Sequence, residues 1–231
     1  MGILNRASLA ATVDAIGEAH FLGRKLPRDE RQRAARWIAG RQGLAGAYCN
    51  LFAPTERDRA EGFRVFTGER YEMGASGRHV LGEEACRALR LLKVRDATVR
   101  RALDRATAAM TERLLESAKT CRANRRGMYC CARCSPALWR HLAVGLPEID
   151  RDAWLAAAMR SLKAHRTGRG RWKSFPFYYT LLSLVEHDHP AVLRELRYTR
   201  PACEYKVNSK PKDDPHDTRR RLIAERVLEK C

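Results

Sequence analysis

Arg-Arg-Gly-Met-Tyr-Cys-Cys-Ala-Arg-Cys-Ser-Pro-Ala-Leu-Trp, running from Arg125 to Trp139, is the stretch on which the reading of this chain turns. Gly127 and Tyr129 close one helical segment, and Ser135 and Pro136 read as the N-cap and first position of the next. The stretch is therefore a joint between two helices. Within it lie Cys130, Cys131 and Cys134, with Cys121 a short way upstream, the densest group of thiols in the sequence.

Helices are predicted on both sides of this joint. Val99, Leu103, Ala106, Met110 and Leu114 form one apolar stripe, which predicts a helix from about Asp96 to Ala118. Earlier helices are expected from Ser8 to Leu22, from Pro27 or Arg28 to Gln42, and from near His79 through Leu92. Between them, residues 49–78 read as a long glycine- and proline-punctuated loop, of the kind that serves as a lid or binding loop. Beyond the joint, helices are expected over Ser135–Val144, from Asp150 or Arg151 to His165, over Phe177–Val185, and from Pro190 to a stop before Pro201. A polar connector from Asn208 to Pro215 leads to a last basic helix. No strand is predicted, so the expected class is all-α.

One helical-hairpin domain over residues 1–207 is expected, with 208–231 as connector and terminal helix. No run of about 18 apolar residues is present, so a soluble, cytoplasmic protein is expected. Its eight cysteines then remain reduced. The net charge of +18 favours polyanions such as nucleic acid, diphosphate-bearing lipids or an anionic membrane. The thirty-six arginines against nine lysines, beside abundant alanine, are also what a GC-rich coding sequence produces, so charge alone names no partner.

The joint recurs. Trp37-Ile38, Gln42 and Gly46-x-Tyr48 are followed by Leu114-Leu115, Lys119 and Gly127-x-Tyr129, and then by Leu162, Arg166 and Gly170-x-Trp172. Each copy ends a helical hairpin and leads into the next, the mark of stacked hairpins that bury their apolar faces on one another. The pattern resembles the aromatic/Gln/Gly/aromatic repeat of terpene cyclases and of the beta subunits of protein prenyltransferases, with Gln replaced by Lys119 and Arg166 in the later copies. The resemblance covers roughly residues 28 to 200. It implies an α/α toroid whose inner helices surround an isoprenoid cavity. A full ring has six hairpins, and this chain has room for about four plus a last helix. A partial toroid, or a homodimer or heteromer that completes the cavity, is implied.

In the prenyltransferases an Asp and a Cys at one inner-helix start and a His at the next hold zinc. Cys131 and Cys134 lie in a place similar to the first pair, whereas Tyr179 stands where the His is expected. The cyclase Asp-x-Asp-Asp acid is missing.

Four chemical readings follow from the residues. Cys131-x-x-Cys134 has the spacing that lets two thiolates reach one soft ion near a helix start, and Cys121 and Cys130 would complete a four-sulfur site for zinc, or less readily an iron–sulfur cluster. The competing reading is small buried thiols packing at a joint. Arg166, Arg169, Arg171 and Lys173, followed by Tyr178 and Tyr179, could clamp a diphosphate beside an isoprenoid, or track a phosphodiester backbone. His79 and Glu83 could do acid–base work on the same rim. Asp213-Asp214-Pro215-His216-Asp217 spells a magnesium–diphosphate pattern, but acids at a helix start are ordinary and magnesium is not expected. Two functions remain: an isoprenoid enzyme-like protein for a hydrophobic, diphosphate-bearing ligand, and a non-catalytic basic module for nucleic acid.

Overall fold

The computed structural model describes residues 2–121 and 126–231. Among these, ten helices and one two-stranded hairpin account for the regular structure, and the protein is all-α. The contacts divide it into two compact units. Unit 1 comprises residues 1–65, 70–116 and 144–148, and unit 2 comprises 66–69, 117–143 and 149–231.

Unit 1 begins with α1 (Leu9–Phe21), whose N-cap Ser8 accepts from Ala11 N–H. The Ser8 hydroxyl also donates to Asp58 at 2.6 Å. Next come α2 (Arg28–Ala39), α3 (Glu56–Glu61), strands β1 (Phe63–Arg64) and β2 (Arg70–Tyr71), α4 (Ala75–Leu92) and most of α5 (Ala97–Thr120). Helix α4 packs against α1 and α2. Gly82 makes the middle of α4 flat enough for Leu51, whose Cδ1 would lie 2.6 Å from a Cβ there. Leu9, Ile16, Ile38, Leu51, Phe52, Leu81 and Leu92 fill the core.

Unit 2 contains α6 (Ser135–Val144, up to residue 143), α7 (Arg151–Ala164), α8 (Phe177–Leu184), α9 (Pro190–Asn208) and α10 (Pro215–Lys230). Helix α9 packs against α7, α8 and α10, and α10 also against α8. Leu138, Trp139, Leu155, Leu162, Tyr179, Leu182, Leu196 and Ile223 are fully enclosed. Side chains cap several helix starts: in unit 1 Asp96 accepts from Thr98 N–H, and in unit 2 Asp150 accepts from Ala153 N–H, His189 from Ala191 N–H and Asp214 from His216 N–H.

Two expectations need correction. Residues 49–78 are not a plain loop: Thr55 and Asp58 form a capping box that starts α3, β1 pairs with β2, and α4 begins at Ala75, ahead of His79. Helix α9 does not stop at Pro201 but passes through it to Asn208, because a proline removes one ladder bond and the buried face of Leu196, Ala202 and Cys203 holds the helix on both sides. Helix α10 packs on α8 and α9 inside unit 2. Asp214 and Asp217 stand at a helix start, as expected. Asp214 caps α10, and Asp217 accepts from Lys206 Nζ at 2.5 Å and from Lys212 N–H at 3.1 Å.

Candidate metal centre

The repeat glycines are what shape the joints. Gly46, Gly127 and Gly170 all have positive φ, at 87°, 72° and 68°, a region that costs an L-residue roughly 1–2 kcal/mol. Gly127 lies hard against α7, where a Cβ would come within 2.2 Å of Ala158 N and 2.6 Å of Trp154 O. The indole N–H of Trp139 donates to Gly127 O at 2.8 Å, and Ser161 Oγ donates to Arg126 O at 2.8 Å. The incoming side of the joint is thus pinned to α6 and α7.

Between these anchors the chain folds into a knuckle. Ser135 is the first residue of α6, one position later than an N-cap, and its hydroxyl works across the turn: it accepts from Tyr129 N–H at 3.1 Å and donates to Cys131 O at 2.7 Å. Cys130 adopts φ +62° within this turn. The Sγ atoms of Cys130, Cys131 and Cys134 all lie within 4.8 Å of one another, with Cys131 and Cys134 at 3.5 Å. Cys134 is buried, whereas Cys130 and Cys131 are exposed.

The electrostatics favour a thiolate at the centre. Thiols of Cys130 and Cys134, and the backbone N–H groups of Cys134 and Arg133, point at Cys131 sulfur and push its pKa far below the usual thiol range, against a smaller opposing effect of burial. Cys134 is pushed the other way, by Cys130, then Cys131, then burial. Cys131 is therefore held toward the thiolate and Cys134 toward the thiol. A cation that replaced the thiol protons would meet three sulfurs. A tetrahedral ion with sulfur at about 2.3 Å sets sulfur–sulfur separations near about 3.8 Å, which this cluster matches with small movements. The donor set is soft and fits zinc.

Cys121 is not in the group. Its N–H still bonds Ser117 O at 2.7 Å, so α5 rather than the knuckle sets its direction. No fourth His, Cys, Asp or Glu joins the three among the described residues.

The other expected site residues divide. Arg166 binds buried Glu195 through Nε (3.2 Å) and Nη2 (2.9 Å) and lies 4.1 Å over the Tyr198 ring, so it is a strut more than a free clamp. Arg171 stacks 4.4 Å over Phe177 and also bonds Tyr178, whose phenol burial holds protonated. Arg169 and Lys173 are exposed. Tyr179 does not line a ligand surface: it is completely buried beneath Arg140. His79 and Glu83 are likewise no rim. They face each other at 3.5 Å in the core of unit 1, 1% and 0% exposed, with the Tyr48 ring 5.4 Å from His79. Burying a pair one turn apart on an apolar face fixes their partner and removes them from solvent.

Glu195 was not foreseen. It receives both Arg166 and the Trp172 indole N–H, the latter at 3.0 Å. The clue was an acid on the Val192, Leu196, Thr199 face of α9, where a carboxylate needs a partner. Among the described residues no helix is long and apolar enough to cross a membrane. Comparison with family models, with curated proteins and with solved structures gave no match for this chain.

Proposed function

We propose that the chain is a helical-hairpin protein like those of the prenyltransferases and terpene cyclases, holding zinc through Cys130, Cys131 and Cys134 and binding an isoprenoid or other hydrophobic, diphosphate-bearing ligand. The observation that carries the reading is the three-sulfur knuckle at the start of α6, with N–H groups already directed at Cys131. Bound zinc would supply Lewis acidity at a coordination position that the described residues leave to an incoming group. The chain's own part is to hold Cys131 as thiolate, to fix the knuckle through Ser135, and to keep Cys134 in the apolar base of the site. Three joints with a positive-φ glycine support the hairpin kinship, which in turn supplies the ligand class.

Metal analysis of the purified protein tests the first half: about one zinc per chain, and a cobalt-substituted form with thiolate charge-transfer absorption, are expected. No metal and freely titrating thiols would discard the centre. Retention of a long-chain isoprenyl diphosphate with quenching of Trp172 tests the second half. A second reading rests on the +18 charge and on exposed Arg169 and Lys173: the protein binds nucleic acid without catalysis, and a mobility shift with steep salt dependence would select it.

A further inference from the structure

Unit 1 carries a feature that uses none of the residues above. Where α4 ends and α5 begins, Lys93 turns the chain with φ +50°. Two hollows meet at this turn and share Lys93, Val94 and Arg95 as their common wall. One is a trough of about 810 Å³, open to solvent, with a mainly apolar floor that includes Leu89, Val99, Leu103 and Val144. The other is a pocket of about 300 Å³ whose wall is completed by Arg28, Arg31 and Gln32 from the first turn of α2.

The smaller hollow is cationic and lacks acids. Among the described residues, Arg28, Lys93 and Arg95 form no ion pair, and Arg31 is engaged through Nη1 with Leu92 O at 3.1 Å. The Nε atoms of Arg31 in this wall and of Arg90 in the wall of the adjoining trough are buried and meet no acceptor among the described residues, a costly condition for a guanidinium. Nearby acids are occupied elsewhere. Asp96 accepts from Arg36 at 2.8 Å and caps α5, Asp29 pairs with Arg33, and Glu30 accepts from Ile3 N–H. Helix α2 starts at Pro27 without a side-chain cap, so its positive end adds to the same field. Four cations around a small pocket call for an anion with several oxygens. The apolar trough opening from it calls for a hydrocarbon chain on the same molecule.

We infer that this pair of hollows binds a phosphate-headed membrane lipid, the head between Arg28, Arg31, Lys93 and Arg95 and one chain along the trough to Leu103. The site goes beyond the proposed function, since it lies in unit 1 and needs no metal. An open trough suits a chain drawn from a bilayer, where the rest of the lipid stays in the membrane.

Co-sedimentation of the full chain with vesicles tests this. Vesicles of phosphatidylcholine containing phosphatidic acid are expected to bring the protein down, and vesicles of phosphatidylcholine alone are not. The triple variant Arg28→Gln, Lys93→Gln, Arg95→Gln changes exposed side chains and is expected to lose affinity about a hundredfold. Removing two cations elsewhere, Arg169→Gln with Lys173→Gln, is expected to change it less than about threefold. Leu103→Gln is expected to weaken vesicle binding about tenfold while leaving inorganic pyrophosphate binding as it is. Metal-stripped protein is expected to sediment as before, which separates this result from the fate of the zinc reading. Equal binding to neutral vesicles, an equal loss in the Arg169/Lys173 variant, or unchanged vesicle binding in Leu103→Gln would overturn the inference. So would binding of a soluble long-chain diphosphate without any sedimentation on vesicles.

Discussion

The joints at 126–134 and 165–176 belong to the same unit and repeat the same pattern, yet they end in opposite conditions. In the later one every polar group of the motif is consumed internally: Arg166 and Trp172 both close on Glu195, and Tyr198 ties Gly168 N–H to Arg171 O. In the earlier one the glycine and the aromatic are anchored as firmly, but the residues that follow them present three sulfurs, two of them to solvent. The motif therefore specifies how a hairpin is joined to the next. Chemistry enters where a joint carries side chains that its architecture does not use.

Exchanging each joint's glycine gives the largest contrast. Gly127→Ala adds a Cβ against fixed backbone of α7 and should cost about 4 kcal/mol, the sum of an unfavourable φ and a clash that a side chain cannot relieve. Gly170→Ala meets Ala202 Cβ and Tyr198 O only at 3.3 Å and should cost about 1–2 kcal/mol, the φ penalty alone. Urea midpoints of the two variants measure the difference, and equal values would break the distinction.

Chelation comes next. If the earlier joint holds zinc, stripping it should lower stability by about 3 kcal/mol when free metal had been a few hundred times its dissociation constant, while a Cys131→Ser protein should show no such response. In the stripped protein, iodoacetamide should label Cys131 first and should still do so below neutral pH, because its thiolate persists there. Mass spectrometry of the alkylated peptide reads this.

Glu195→Ala should cost about 3 kcal/mol, measured by denaturant, since it strands the half-buried Arg166 and the Trp172 indole together. A loss under about 1 kcal/mol would mean that the later joint is held by packing alone.

The smallest effect concerns pH. His187 donates its Nε2 proton to Trp139 O at 2.9 Å, and burial lowers its pKa from the ordinary 6.5. The unfolded chain thus takes up a proton before the folded one does. Stability contributed by the neutral ring is complete above 6.5 and declines as pH falls from there toward the folded value. His187→Gln should flatten the stability curve over that window by under about 1 kcal/mol relative to the parent.

The helix order and the joints were legible because their causes are local. A stripe such as Val99 to Leu114 reports a buried face, and glycine at 46, 127 and 170 reports a backbone only glycine adopts freely. Cys131-x-x-Cys134 was legible from spacing. Cys121 was misplaced because sequence distance does not say that its N–H still belongs to α5. The α3 turn and the strands of residues 56–71 were invisible, since two-residue strands carry no period. Residue type in Tyr179 and in the pair His79 and Glu83 suggests ligand-facing chemistry, whereas helix face decides exposure and buries all three. The cation pocket between α2 and Lys93 escaped for a similar reason, as its members lie more than sixty positions apart.

Gln42 and Arg166 hold the same place in their joints but answer to different receivers. Gln42 donates its amide to Asn50 O at 2.9 Å and accepts from Arg105 at 2.9 Å, while Arg166 meets a carboxylate. The two are consequently not interchangeable parts: an arginine at 42 would face carbonyls and a second guanidinium, and a glutamine at 166 would leave Glu195 without its counter-ion. Divergence of the motif's polar residue thus follows its local partners, and the one copy that keeps glutamine is the one whose neighbours ask for a group able both to donate and to accept a hydrogen bond.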